Sequence, residues 1–130
     1  MVLSTNQRTA IKSFAYFELY RRERDVYLRF REYGFVQVDG FQIPRLIDFD
    51  NNLWVVEMSI VSPPFIVDFA GAYLNVPPSY RDDDDFMEQW LIEKKDEFEN
   101  DWPRVKRALG KFEALGIYLA DVAPRNVRCR

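Results

Sequence analysis

The segment Asp121-Val122-Ala123-Pro124-Arg125-Asn126 puts a carboxylate and a carboxamide on either side of a proline. Asp and Asn around proline are also ordinary loop chemistry, so the segment by itself fixes no activity. Histidine is absent from the chain. That removes Ser-His-Asp and Cys-His catalysis and the usual zinc sites. Chemistry is left to carboxylates, amides, hydroxyls and lysines. Lys12, in the run Thr9-Ala10-Ile11-Lys12, is one such group; taken alone it is a solvated lysine at a strand end. Glu23, with Glu18 five residues before it, stands on a helical pattern where surface charges are ordinary. Asp68 fits a helix cap. Asp82 to Asp85 supply four adjacent carboxylates. Neighbouring acids on a helix do not converge on one ion, whereas acids at a helix start suit the positive end of its dipole, and a helix start is the reading adopted.

The elements that must hold these groups follow from hydrophobic period and turn residues. Thr9 to Phe14 reads as a short strand. From Phe14 to Tyr33 the apolar residues Phe17, Tyr20, Tyr27 and Phe30 recur at spacings near three and four, which predicts a helix stopped by Gly34. Phe35 to Ile47 is irregular, with Phe35, Val36, Val38 and Phe41 open to a short strand or an extended loop. Asp50-Asn51-Asn52 predicts a hairpin turn. Leu53 to Val61 is the strongest strand, rich in β-branched and large residues, and Pro63-Pro64 follows its end. A short helix is expected over Val67 to Leu74. A long helix is expected from Asp82 to Glu99. A second starts at Asp101-Trp102-Pro103, with Val105, Ala108, Leu109, Phe112 and Leu115 on its apolar face and Gly116 as its stop.

Of 130 residues, 48% are hydrophobic and 16% aromatic, enough for one domain with a core and against disorder. The net charge is −3, and the arginines between 21 and 31 alternate with Glu23, Asp25 and Glu32, so no nucleic-acid face is expected. Cys129 is the one cysteine, which rules out a disulfide within the chain and fits a reducing cytoplasm. No apolar run has membrane-spanning length, and the first residues lack a signal-peptide pattern. A cytoplasmic protein without a membrane partner is expected.

Gly116-Ile117-Tyr118-Leu119-Ala120-Asp121-Val122-Ala123-Pro124-Arg125-Asn126 resembles the catalytic loop of the protein-kinase-like fold, where a helix ends at Gly-Ile and an aspartate is followed five residues on by an asparagine. Thr9-Ala10-Ile11-Lys12 resembles that family's Val-Ala-Ile-Lys strand, and the stretch from Tyr20 to Leu28 resembles its helix C. Trp54 to Ile60 is similar to the strand entering its hinge, although an ordinary core strand would read the same way. The partial matches occur in family order from Arg8 to Val127. The resemblance implies an α+β fold: a small antiparallel sheet packed with one helix (residues 1–61), followed by a mainly helical lobe (62–130) ending in the catalytic-type loop. It implies ATP and Mg2+ as cofactors. Lys12 would hold phosphates, Glu23 (or Glu18) would orient Lys12, Asp121 would act as base and Asn126 would bind magnesium. Glu57 and Ser59 would meet the adenine edge through their backbones, and Asp68 would meet the ribose.

The pattern also departs from the family. Leu119 and Ala120 replace the histidine and arginine before the aspartate, as in some small-molecule and atypical bacterial kinases. Ala123 stands where many protein kinases carry a lysine on the transferred phosphate. No glycine precedes Gly34, and an Asp-Phe-Gly metal aspartate, sought after Asn126, would lie past residue 130. The expectation is therefore a kinase-like nucleotide binder with little or no activity by itself. A protein-interaction module of pseudokinase type and an unrelated small α+β domain are the alternatives.

Overall fold

A computed structural model describes the backbone of residues 2–5 and 8–130, and side chains from residue 8 onward. The fold is α+β. Its first layer is a four-stranded antiparallel sheet in the order β1 (Val2–Thr5), β2 (Thr9–Ser13), β6 (Val55–Ser59) and β5 (Leu46–Asp50). Helix α1 (Phe17–Tyr33) packs on it through Tyr20, Glu23, Val26, Tyr27 and Phe30, one stripe at helical spacing. Gly34, at φ 71°, ends the helix in the left-handed conformation that glycine adopts without a Cβ penalty.

β6 lies inside the sheet, as its composition suggests. Its burial alternates: Val56 and Met58 face the core, while Val55, Glu57 and Ser59 are half-buried. The strand is shorter than the apolar run from 53 to 61, because Leu53 and Trp54 belong to the β5–β6 turn, where Trp54 has φ 54°. Asp50 Oδ1 accepts from the amides of Asn52 and Leu53 in that turn. The turn is also tied to α1, since Tyr20 Oη donates to Asn51 Oδ1 at 2.6 Å and Arg24 Nη1 to the same oxygen at 2.8 Å.

The irregular stretch before β5 holds two short strands, β3 (Gln37–Val38) and β4 (Phe41–Gln42), around a turn with Gly40 at φ 86°. They form a second sheet with β7 (Ile66–Val67) and β10 (Val127–Arg128), in the order β10-β7-β4-β3. The helix expected over Val67 to Leu74 is not formed. Val67 pairs with Val127, Gly71 turns at φ 73°, and β8 (Tyr73–Leu74) pairs with β9 (Ile117–Tyr118). Long-range pairing from both flanks overrides the local helical pattern.

Helix α2 (Asp84–Phe98) starts at Asp83, whose side chain accepts from the Phe86 amide at 3.0 Å. The acidic run thus does the work of a helix start. Helix α3 (Trp102–Ala114) has proline in its first turn and buries Trp102, Val105, Ala108 and Phe112. The core is one cluster running from Tyr20 to Val127, so strands and helices on both sides of residue 61 share it. No helix among the described residues is long and apolar enough to cross a membrane.

Phe69 sits at the centre of that cluster, fully buried, with ring centroids 6.0 Å from Tyr27, 5.2 Å from Phe30 and 5.4 Å from Phe112. It joins α1 and α3 through one side chain. Phe69→Ala is expected to lower unfolding free energy by about 3–5 kcal/mol in urea denaturation, because the cavity left by a buried ring collapses only partly. A loss under about 1 kcal/mol would contradict this placement.

Candidate functional site

Lys12 lies in β2, opposite Val56 on the adjacent strand. Glu23 lies on the buried stripe of α1. Sheet and helix therefore meet as an ion pair, with Lys12 Nζ 2.8 Å from Glu23 Oε1. Glu23 has no solvent exposure, while the Lys12 side chain keeps 20% of its own. The second carboxylate oxygen, Oε2, is buried without a hydrogen-bond partner among the described residues. Burial raises the pKa of Glu23, against the lowering effect of Lys12. Tyr27, one turn along α1, is raised well above the usual phenol value, first by burial and then by the charges of Glu23 and Asp68.

Asp68 follows β7 and faces the same lysine, with Oδ1 3.7 Å from Lys12 Nζ. Two bonds set its direction. Its amide donates to the Asn126 carbonyl at 2.8 Å, and its Oδ1 accepts from the Ala70 amide at 2.9 Å. This carboxylate caps a turn of its own segment rather than a helix. Lys12 consequently stands between a buried acid and a half-exposed one.

The loop before β10 supplies the remaining groups. Asn126 Nδ2 donates to Asp121 Oδ2 at 3.1 Å and to the Asp121 carbonyl at 3.2 Å. Arg125 forms an ion pair with Asp121. A cleft of about 470 Å³ is lined by the polar residues Lys12, Glu23, Asp68, Arg125, Asn126 and Arg128. Pro44, Met58, Val61 and Ile66 add apolar lining. A cleft of this size with mixed charged and apolar lining suits a small ligand.

Several expected site residues are placed differently. Glu18 is occupied by Arg21 at the surface, at 2.9 Å, which lowers its pKa. It is Glu23 that meets Lys12. The Ser59 amide donates to the Arg45 carbonyl at 2.9 Å, inside the sheet, and so does not face an adenine edge. Glu57 has Ile11 on one side and Asp48 on the other, and its carboxylate accepts from Thr9 Oγ1 at 2.8 Å. β6 is flanked on both sides, so its backbone is taken by the ladder. Met58 from β6 and Val61, two residues beyond it, reach the cleft with their side chains. Asp68, expected at a ribose, lies beside Lys12 and Asn126 instead.

The signal passed over in the sequence was Val67-Asp68-Phe69-Ala70-Gly71. This carboxylate followed by phenylalanine stands 58 residues before Asn126 and is brought next to it by the pairing of β7 with β10.

Among the described residues, no three His, Cys, Asp or Glu side chains cluster as a dedicated metal cage would. Magnesium does not require one. It is commonly held by one or two carboxylates together with substrate phosphates and waters. The Asp68 amide, donating to the Asn126 carbonyl, sets a carboxylate-bearing residue beside a carboxamide-bearing one at the cleft, and both are oxygen donors of the type that hard ion takes.

No family model, curated protein or solved structure matches this chain.

The buried acid predicts a pH dependence. Burial lifts the folded-state pKa of Glu23 above the ordinary 4.5, so the native state holds that proton more tightly than the unfolded chain. The group's contribution to stability is fully present below the unfolded pKa and declines as pH rises through the folded value. The stability of wild type minus that of Glu23→Gln should therefore shrink as pH rises above the ordinary carboxylate value of 4.5 in urea titrations. A difference that grows as pH rises would contradict the assigned direction.

Proposed function

We propose that this chain is a protein-kinase-like nucleotide-binding protein, a phosphotransferase or the remnant of one, with the cleft at Lys12 as its phosphate site. The observation that carries the reading is the position of Lys12, 2.8 Å from Glu23 and 3.7 Å from Asp68, with Asp68 tied to Asn126. A lysine held by a buried helix acid, beside an oxygen-donor pair, is what binding of a magnesium–polyphosphate demands. The sheet order adds support, since the lysine strand lies directly beside the strand that leads to the cleft. The chain would work in the cytoplasm, with ATP as the nucleotide.

Each residue then has a role. Glu23 fixes the lysine through a short charge-assisted bond, and Lys12 holds phosphate oxygens. Pro44, Met58, Val61 and Ile66 would cover the base. Asp68 and Asn126 would hold magnesium, which when bound neutralises charge on the phosphates. Asp121 would accept the proton of an attacking hydroxyl. In transfer, the hydroxyl oxygen bonds to the terminal phosphorus, the bond from that phosphorus to the bridging oxygen breaks, and the electron pair leaves with the nucleoside diphosphate. Glu57 and Ser59 drop out of the site, and Asp68 moves from ribose to metal.

A binding module that no longer turns over is the second reading. It is favoured by the ion pair of Arg125 with Asp121 and by the apolar Ala123, which brings no cation to the transferred group.

Calorimetry with magnesium-ATP tests the site. Wild type should bind, and Lys12→Ala and Asp68→Asn should each weaken binding at least about tenfold, ~1.4 kcal/mol. Binding that ignores both substitutions would remove the assignment. Turnover by the chain alone should be near the detection limit. Robust turnover lost in Asp121→Ala would favour the enzyme over the binding module.

A further inference from the structure

Glu23 and its neighbour Arg22 point their charged ends at different partners, and those partners converge on one segment. Glu23 holds Lys12. Arg22 donates from Nη2 to the Gly71 carbonyl and from Nε to the Ala72 carbonyl at 3.3 Å. Its guanidinium also lies 3.8 Å from the centroid of the Tyr73 ring. Three consecutive residues after the Asp68-Phe69-Ala70 turn are thus gripped by one planar side chain. Lysine cannot reproduce this combination, since it has neither the forked donors nor a flat face to stack.

The gripped segment has little freedom of its own. Gly71 has φ 73°, and a Cβ there would come 3.3 Å from Ala120 Cβ and 3.6 Å from Arg22 Nη2. Ala120 precedes Asp121 directly. The Ala72 amide closes the turn onto the Phe69 carbonyl at 3.0 Å. Phe69 pins the segment from the core side and Arg22 pins it from the helix side, with Asp68 one residue before Phe69.

We infer that Arg22 is a positioning residue that keeps Asp68 opposite Lys12 by clamping Gly71, Ala72 and Tyr73 to α1. The inference rests on the nucleotide-site reading and deepens it. One rigid helix then sets both partners of the site. Glu23 aims the lysine, and Arg22 sets the carboxylate that would hold the metal. A shift of α1 would move both together.

The test separates metal-dependent from metal-free nucleotide binding, using calorimetry with ATP in the presence of Mn2+ and with ATP in EDTA. Arg22→Gln and Arg22→Lys should weaken the Mn2+-dependent binding about tenfold or more while leaving metal-free binding within about twofold, the scale set by supports of metal ligands. Asp68→Asn should show the same selective loss. If Asp68→Asn loses the metal enhancement and the Arg22 variants keep it, the role of Arg22 is overturned and the site reading stands. If the Arg22 variants weaken both modes equally, Arg22 is a stabilising residue only, and the inference is overturned. If Mn2+ gives wild type no enhancement, or Asp68→Asn retains it, the site reading itself fails and takes this inference with it. Should Arg22→Gln not fold, Arg22→Lys and Tyr73→Leu, which removes the ring beneath the guanidinium, carry the same comparison.

Discussion

Glu23 has no contact with solvent, and Lys12 is the cation that keeps its charge tolerable inside the protein. Taking a carboxylate out of water costs several kcal/mol, and removing its partner would leave that cost uncompensated. The pair therefore constrains everything around it. α1 must lie across the sheet with its buried stripe facing β2, and the strand must present Lys12 toward the helix. The partnerless Glu23 Oε2 shows that a single lysine does not satisfy this acid fully. A buried pair of this kind is weak evidence for stability, because apolar residues could fill the space as well. It is better evidence for a task that needs a lysine held in one place.

The second constraint is the antiparallel pairing of β7 with β10. Only two residues from each strand take part, yet they bring together segments far apart in the chain. Asp68 emerges from β7 and Asn126 leads into β10, and the Asp68 amide bonds the Asn126 carbonyl where they cross. The parallel contact of β4 with β7 anchors this small sheet to the residues before β5. Beneath it, Phe69 meets Phe30 and Phe112, so the aromatic core holds the turn that carries Asp68. The apolar layer and the polar site are thus consecutive residues of one segment.

Much of this was legible in the sequence where local pattern and tertiary environment agree. The spacing of Tyr20, Tyr27 and Phe30 marks the buried stripe of α1, and Glu23 falls on that stripe, which made it a better partner for Lys12 than Glu18. Trp102-Pro103 and Gly116 mark the limits of α3 because proline and glycine act locally. The stretch from Val67 to Leu74 was misread for the opposite reason. Its local pattern suits a helix, but Val67 is claimed by Val127 and Leu74 by Ile117, and neither partner is near in sequence. Glu57 and Ser59 were misplaced because a strand's composition does not tell whether its backbone faces a neighbour or a cleft. Asp68 reads as a helix cap or a ribose contact, whereas it caps a turn of its own segment, and its place beside Lys12 depends on a chain crossing that no spacing rule encodes.

The central claim is that Lys12, Asp68 and Asn126 form one site for a metal-bound nucleotide. Paramagnetic broadening of backbone amide resonances by Mn2+ in the presence of ATP tests it most directly, because the broadening falls steeply with distance from the ion. The account predicts that the amides of Asp68 and Asn126 and their neighbours in β7 and β10 broaden first, while those of Asp82 to Asp85 stay sharp. Broadening confined to that acidic run, with Asp68 and Asn126 unaffected, would contradict it.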